Sequence, residues 1–289
     1  MKRVSLGWCC VLLSGMAMAA SPAGDRPRVE ASLLVTGWVE IAPTGKVEQY
    51  ELDQPSKLPP GVVKLIDQSV SGWQFELAET GAAPVAKVRA NMSLRMVASQ
   101  RAKDRYQVRL AAAEFDTPAS PGGSSGETLT IRRQPPPDYP QRLARAHVSG
   151  TVYLLLQVNR QGKVEKAAAE QVDLATYADD YDMKWWRIEL ANAAIRGVRQ
   201  WTFNLPTTGP DAAKSSWLAQ VPIQFEVLPG GSMQPSRDYG EWHAYVPGPR
   251  SVPAWAESAG GAGDPSAVPT GSLAEVGHGL RLTTPLAGP

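Results

Sequence analysis

One stretch of this chain is written twice. Residues 31–47 read ASLLVTGWVEIAPTGKV and residues 148–164 read VSGTVYLLLQVNRQGKV. Aligned without a gap, Val35, Val39, Ile41, Gly45, Lys46, Val47 and Glu48 fall opposite Val152, Leu156, Val158, Gly162, Lys163, Val164 and Glu165. The agreement resumes downstream, after extra residues in the second copy. There Val62, Ile66, Val70, Trp73, Phe75, Leu77 and Gly81 match Leu190, Ala194, Val198, Trp201, Phe203, Leu205 and Gly209, and Met92, Leu94 and Met96 match Val221, Ile223 and Phe225. A repeat of this length is a whole supersecondary unit, so it fixes the architecture before any motif is considered. The expectation is a duplicated small domain.

Each copy reads the same way. Residues 33–41 place apolar side chains at 33, 35, 39 and 41, the period of a half-buried strand. Pro43, Thr44 and Gly45 make a turn, and residues 47–52 return as the second arm of a hairpin. Pro59 and Pro60 open a helix, where a missing N–H costs nothing, and Val62, Ile66, Val70 and Trp73 line one face at spacings of four, four and three. After turns at Gly81 and Pro84, residues 88–97 come back as a long strand. The second copy repeats this with strands at 152–158, 164–172 and 216–227 and a helix at 186–200. The fold class expected is α+β: two tandem domains, each a three-stranded antiparallel sheet with one helix on one face. Their bounds are 29–116 and 129–228, joined by a linker at 117–128 whose residues 117–127 are rich in Pro, Gly and Ser. Residues 106–115, after a turn at 101–104, add a strand covering the edge of the first sheet. The tail, 229–289, is dense in Pro and Gly and reads as mostly irregular, with short strands possible at 239–246 and 279–283.

Composition narrows the setting. The chain has 289 residues, which allows about two domains, and a net charge of +1, which gives nucleic acid no electrostatic handle. Lys2 and Arg3 precede an apolar run over residues 4–16, followed by the small residues Ala17, Met18 and Ala19, the pattern of an export signal cut after Ala19. The run is too short for a comfortable membrane span. Cys9 and Cys10 are the only cysteines and lie inside this leader, so the mature chain has no disulfide, thiol nucleophile or cysteine ligand. Without Lys2 and Arg3 the net charge becomes −1. The localisation expected is the bacterial periplasm, with an uncleaved inner-membrane anchor as the alternative.

No enzyme signature stands out. His147, His243 and His278 are scattered, without a partner at ligand spacing, and no nucleophile elbow, zinc-protease helix or phosphate loop is present. Asp179, Asp180 and Asp182, in the insertion at 175–184, lack the central Gly and terminal Glu of a calcium loop and read as a solvated acidic loop at a helix start. Trp185 and Trp186 predict one buried ring and one exposed ring. No catalytic, cofactor or metal residue is assigned.

The segment Gln134-Pro135-Pro136-Pro137-Asp138-Tyr139-Pro140-Gln141-Arg142-Leu143-Ala144 stands ahead of the second copy. It is followed by the alternation Gly150, Val152, Leu154, Leu156, Val158 up to Gly162 and Val164, by Ala194, Val198, Trp201 and Phe203, and by Pro222-Ile223-Gln224-Phe225. This ordered set resembles the TonB C-terminal domain family over residues 134–227. The resemblance is weaker over 31–97, which lacks the Tyr-Pro segment. It implies a periplasmic module that grips an extended peptide by strand addition, as TonB grips the N-terminal box of an outer-membrane transporter. The edge implied is 218–227, with Gln220, Pro222, Ile223, Gln224, Phe225 and Glu226. Tyr139 and Pro140 would lie near the ligand, and Arg142 would be available to a carboxylate.

A force-transducing member needs an anchor and a long spacer, whereas here the leader looks cleavable and the linker spans only about 20 Å. The function expected is therefore a soluble periplasmic binding protein for an envelope or outer-membrane transport protein. The alternatives are a membrane-anchored energy transducer, or a structural or assembly factor with self-covered sheet edges, in contact with peptidoglycan.

Overall fold

The computed structural model describes residues 29–77, 87–103, 105–116, 126–227, 239–259, 263–277 and 280–286. The leader with Cys9 and Cys10, the turns at Gly81, Pro84 and Asp104, linker residues 117–125 and His278 lie outside these. The protein is α+β, built mostly from antiparallel strands. In chain order the elements are β1 (Glu30–Ile41), β2 (Val47–Leu52), α1 (Pro60–Val70), β3 (Phe75–Glu76), β4 (Val88–Ala102), β5 (Arg105–Asp116) and β6 (Thr130–Arg133). They continue with α2 (Gln141–Arg145), β7 (Gly150–Asn159), β8 (Val164–Leu174), α3 (Asp180–Val198), β9 (Thr202–Asn204) and β10 (Ser216–Phe225). The final strands are β11 (His243–Tyr245), β12 (Ala274–Glu275) and β13 (Arg281–Leu282).

The repeated sequence folds into repeated geometry. In each copy a first strand lies between its hairpin partner and the last strand, as β2-β1-β4 and as β8-β7-β10. The hairpin turns close on Gly45 and Gly162, at φ of 81° and 68°. A Cβ at either glycine would lie 2.2 or 2.4 Å from the carbonyl oxygen of Phe75 or Phe203, so the left-handed turn and the close approach both demand glycine. The same turns accept the amide of Phe75 (2.7 Å) and of Phe203 (2.8 Å). Trp73 and Trp201, one turn past each helix, are buried against their own sheets.

Each helix buries the stripe read from its sequence: Val62, Ile66 and Val70 on α1, and Leu190, Ala194 and Val198 on α3. The first core adds Leu33, Val35, Val39 and Ile41 from β1 and Met92, Leu94 and Met96 from β4. The rings of Trp73, Phe75 and Phe115 pack edge to face within it, 4.8–6.2 Å apart. The second core gathers Val152, Leu154, Leu156 and Val158 from β7 with Val221, Ile223 and Phe225 from β10. The helix α3 starts six residues before the expected 186, because Asp179 caps it by accepting from the Asp182 amide at 2.8 Å. Asp180 and Asp182 fall in its first turn, where negative charge is favoured. Of the insertion at 175–184, the first half is loop and the second half, from Asp180, is helix. Trp185 and Trp186 are both half-buried against the second core, so the expected split of one buried and one exposed ring is not found.

Both sheets are wider than three strands. The first has five: β5 pairs β4 along its whole length, and β11 joins β1 beside β2. The second has four, with β12 on the outer side of β10. The extra strands β11, β12 and β13 come from the C-terminal segment, which passes back and forth between the two units. After β11 its Val246 exchanges backbone hydrogen bonds with Leu174 of β8 (2.7 and 3.1 Å), and the Ser251 amide donates to Glu170 O at 2.8 Å. A single 3-10 turn, Pro265–Ala267, then packs on β4, β5, β7 and β10 together, and β13 finally pairs with β3.

Candidate functional site: the β10 edge and the seam between the sheets

Alternation along β10 sorts its residues. Trp217, Ala219, Val221, Ile223 and Phe225 point into the second core, whereas Leu218, Gln220, Pro222 and Gln224 point to the face turned from α3. The carbonyl of Leu218 accepts from the Val276 amide at 2.8 Å, so the backbone of the even-numbered residues faces the outer edge. Over Leu218–Gln220 that edge is taken by the chain itself, with Ala219 opposite Glu275 and Gln220 opposite Ala274. The ladder ends at Pro222, whose ring replaces the next outward N–H. Beyond it, Gln224 borders two cavities of about 310 and 200 Å³ between the two sheets.

The expected site residues divide accordingly. Gln220 is buried and donates to Glu170 Oε2 (2.7 Å) and Gly263 O (3.2 Å). Burial pushes the Glu170 carboxyl up, opposed by Gln220 and by the charge of Arg250, with Asp264 pushing further up. Ile223 and Phe225 are core residues, 6% and 4% exposed, and their backbone faces β7. The Gln224 side chain donates through Nε2 to Glu226 Oε2 at 2.5 Å.

Tyr139 and Pro140 brace the fold. The Tyr139 hydroxyl donates to Val148 O, and its ring packs 5.3 Å from Phe225. Pro140 caps α2, whose Leu143 is fully buried. Upstream, β6 pairs β9, Trp201 Nε1 donates to Pro135 O at 3.0 Å, and Pro137 lies against Gly197 of α3. A Cβ at Gly197 would come within 2.6 Å of Pro137, which is why the lead-in can lie flat on the helix. Arg142 sits exposed above the Trp185 ring, 5.7 Å from its centroid.

Sequence reasoning missed the charged seam between the sheets. Arg95, inside β4, points away from α1 and is 6% exposed. It pairs with Asp173 of β8 at 3.1 Å, donates to the Tyr153 hydroxyl of β7, and lies 4.7 Å from the ring centroid of Tyr245 in β11. Asp173 also accepts from Gln171 (2.7 Å) and from the Gly248 amide (3.1 Å). Burial opposes the charge on Arg95, but Tyr153, Asp173 and Tyr245 outweigh it and the guanidinium is held above its ordinary range. Burial also pushes the Asp173 carboxyl up, with Arg95 as the leading opposing influence. One arginine therefore ties together β4, β7, β8 and β11. A lone Arg within the apolar run MSLRMV was the available signal. Arg187 of α3 adds a second tie, donating to Val172 O (3.1 Å), Val246 O (3.4 Å) and Pro247 O (3.3 Å).

Among the described residues, no group of three or more His, Cys, Asp or Glu side chains is placed to hold a metal ion, and no helix is long and apolar enough to cross a membrane. The chemistry this arrangement offers is that of a β-edge: outward carbonyls and amides, held beside a partly buried polar seam. Comparison with protein-family models, curated proteins and solved structures gave no match for this chain.

Proposed function

We propose that this chain is an exported, TonB-like binding protein of the bacterial periplasm. In this reading it consists of two tandem domains, 29–116 and 129–228, each founded on three antiparallel strands and one helix. The common strand order and the paired turns at Gly45 and Gly162 support the duplication. The second domain receives an extended segment of an envelope or outer-membrane transport protein at β10, by strand addition. The observation that carries this is β12: a segment of the chain already sits on that edge in antiparallel register. Only two residues pair there, so a longer partner strand would exchange with β12 and run on past Pro222 to Gln224 and Glu226. Tyr139 then holds the edge in place by bracing Phe225, Pro140 starts the helix α2, and Arg142 is left outside to meet an acidic group.

A second reading has one specific observation in its favour. Val246 and Ser251 cover part of β8 just as β12 covers part of β10. A chain that covers its own edges in this way suits a structural or assembly factor of the envelope.

Capture from envelope extracts separates the two readings. Gln224→Pro removes an outward donor and leaves the β7 ladder intact, so it should abolish recovery of the partner. Ala274→Pro weakens β12 and should increase recovery. Equal recovery by wild type and both variants would reject strand exchange and favour the covered-edge reading.

A further inference from the structure

The remaining long edge belongs to β5. It is the terminal strand of the first sheet, twelve residues in length, and among the described residues no strand pairs with its outer side. At about 3.3 Å per residue that is an open edge of about 40 Å. The other long edges carry a proline or a stretch of the chain's own tail, whereas β5 contains no proline. Two large apolar side chains stand exposed along it, Tyr106 (68%) and Val108 (38%). An edge with these properties pairs with another chain unless charge prevents it.

The charges on β5 are sorted by position. Cross-strand register with β4 puts Arg109 opposite Val97 and Glu114 opposite Ser93, so both lie on the face turned from α1. Arginines 105 and 109 occupy the first half of the strand, and Glu114 and Asp116 the second half. Between them Ala111 is skipped in the pairing with β4, a bulge that keeps the two charged sets on one face. Laid antiparallel on an identical strand, the arginine half of one copy meets the carboxylate half of the other, twice over. The same charges oppose a parallel pairing, in which like meets like.

We infer that β5 is a self-association edge: two copies of this chain pair antiparallel through residues 107–116 about a two-fold axis, matching Arg109 to Glu114 in both directions. The interface is isologous, as closed dimers require. A cavity of about 630 Å³ beside Glu114, between β5 and the segment around β12, leaves room for an incoming guanidinium. Glu114 has no counter-charge of its own among the described residues; burial first, then the nearby Asp116, push its carboxyl up to about 7. An arginine from a second copy would relieve that.

The test is the solution mass of the full chain by sedimentation equilibrium. The expected result is a mass about twice 31.0 kDa that falls toward the monomer on dilution. Arg109→Glu and Glu114→Arg should each weaken association at least about tenfold, through like charges brought together in both halves. The double variant, which exchanges the two signs, should restore it. A readout independent of mutation is hydrogen exchange: every second amide of β5 should lose protection as the protein is diluted. A monomer at all concentrations, a dimer indifferent to both reversals, or β5 exchange independent of concentration would each overturn the inference.

Discussion

Burial holds the Glu114 carboxyl up at about 7, and the neighbouring Asp116 adds repulsion. The folded state therefore keeps its proton over a range where the unfolded chain has released it. Stability at this site falls as pH rises from about 4.5 to about 7, and stays lower above that. Glu114→Gln should flatten the fall and stabilise the protein at pH 8 by about 1 kcal/mol, discounted for partial solvent exposure. Denaturant titrations at several pH values, at concentrations low enough to keep the chain monomeric, would show it. Arg95 and Asp173 make the opposite kind of site, a buried pair with nearly every polar atom engaged. Removing one partner strands the other charge: Asp173→Ala should cost about 3–5 kcal/mol. Arg95→Met with Asp173→Leu should cost much less than the two single changes together, a non-additivity that a double-mutant cycle measures directly. Asp179→Ala, which removes only a helix cap, should cost about 1 kcal/mol.

At the level of elements, the strands long enough to show a pattern were legible, and the shortest ones, held by distant partners, were not. The paired stripes at Val62, Ile66 and Val70 and at Leu190, Ala194 and Val198 located both helices by their spacing, although the stripe on α3 left its first six residues unread. The extra strand read at 106–115, after the turn at 101–104, lies at Arg105–Asp116. Short strands at 239–246 and 279–283 were anticipated, and β11 and β13 lie there. In contrast, β6 and β12 went unseen. Four residues or two are too few to show a period, and what holds them is a partner distant in sequence: β9 for one, β10 for the other. The cap at Asp179 was also misread, since three aspartates in a row of polar residues suggest a loop until one of them is seen capping a helix. The shortness of β12 has its own consequence. Ala274→Pro should speed amide exchange at Val276 and Gln220 while leaving β7 and α3 protected, a local opening that mass spectrometry resolves.

Across the molecule, the two sheets present their helix-free faces to one another and the C-terminal segment passes through the seam between them. Nothing in the composition of 229–289 announces this; its density of Pro and Gly reads as irregular chain, and the described residues there lie mostly outside strands and helices. Irregular backbone can still be built in when its polar groups find partners. Val246, Ser251 and Val276 place theirs on β8 and β10. The buried Ala267 and Val268 anchor it to the first sheet, where Ser93 Oγ donates to Ala267 O at 2.7 Å. The lead-in Tyr139-Pro140 was legible as a motif, and in the structure the Tyr139 ring packs on Phe225 while Pro140 precedes α2. What β10 presents at its outer edge is backbone, and side-chain patterns record little of backbone availability beyond Pro222.

In the proposed binding mode β10 exchanges its own strand, β12, for a partner's. Hydrogen exchange of the chain bound to its captured envelope partner tests this most directly. In that complex the Gln224 backbone amide should become protected while the Ala274 and Val276 amides lose protection. A bound complex in which Ala274 and Val276 stay protected and Gln224 is unchanged would contradict it.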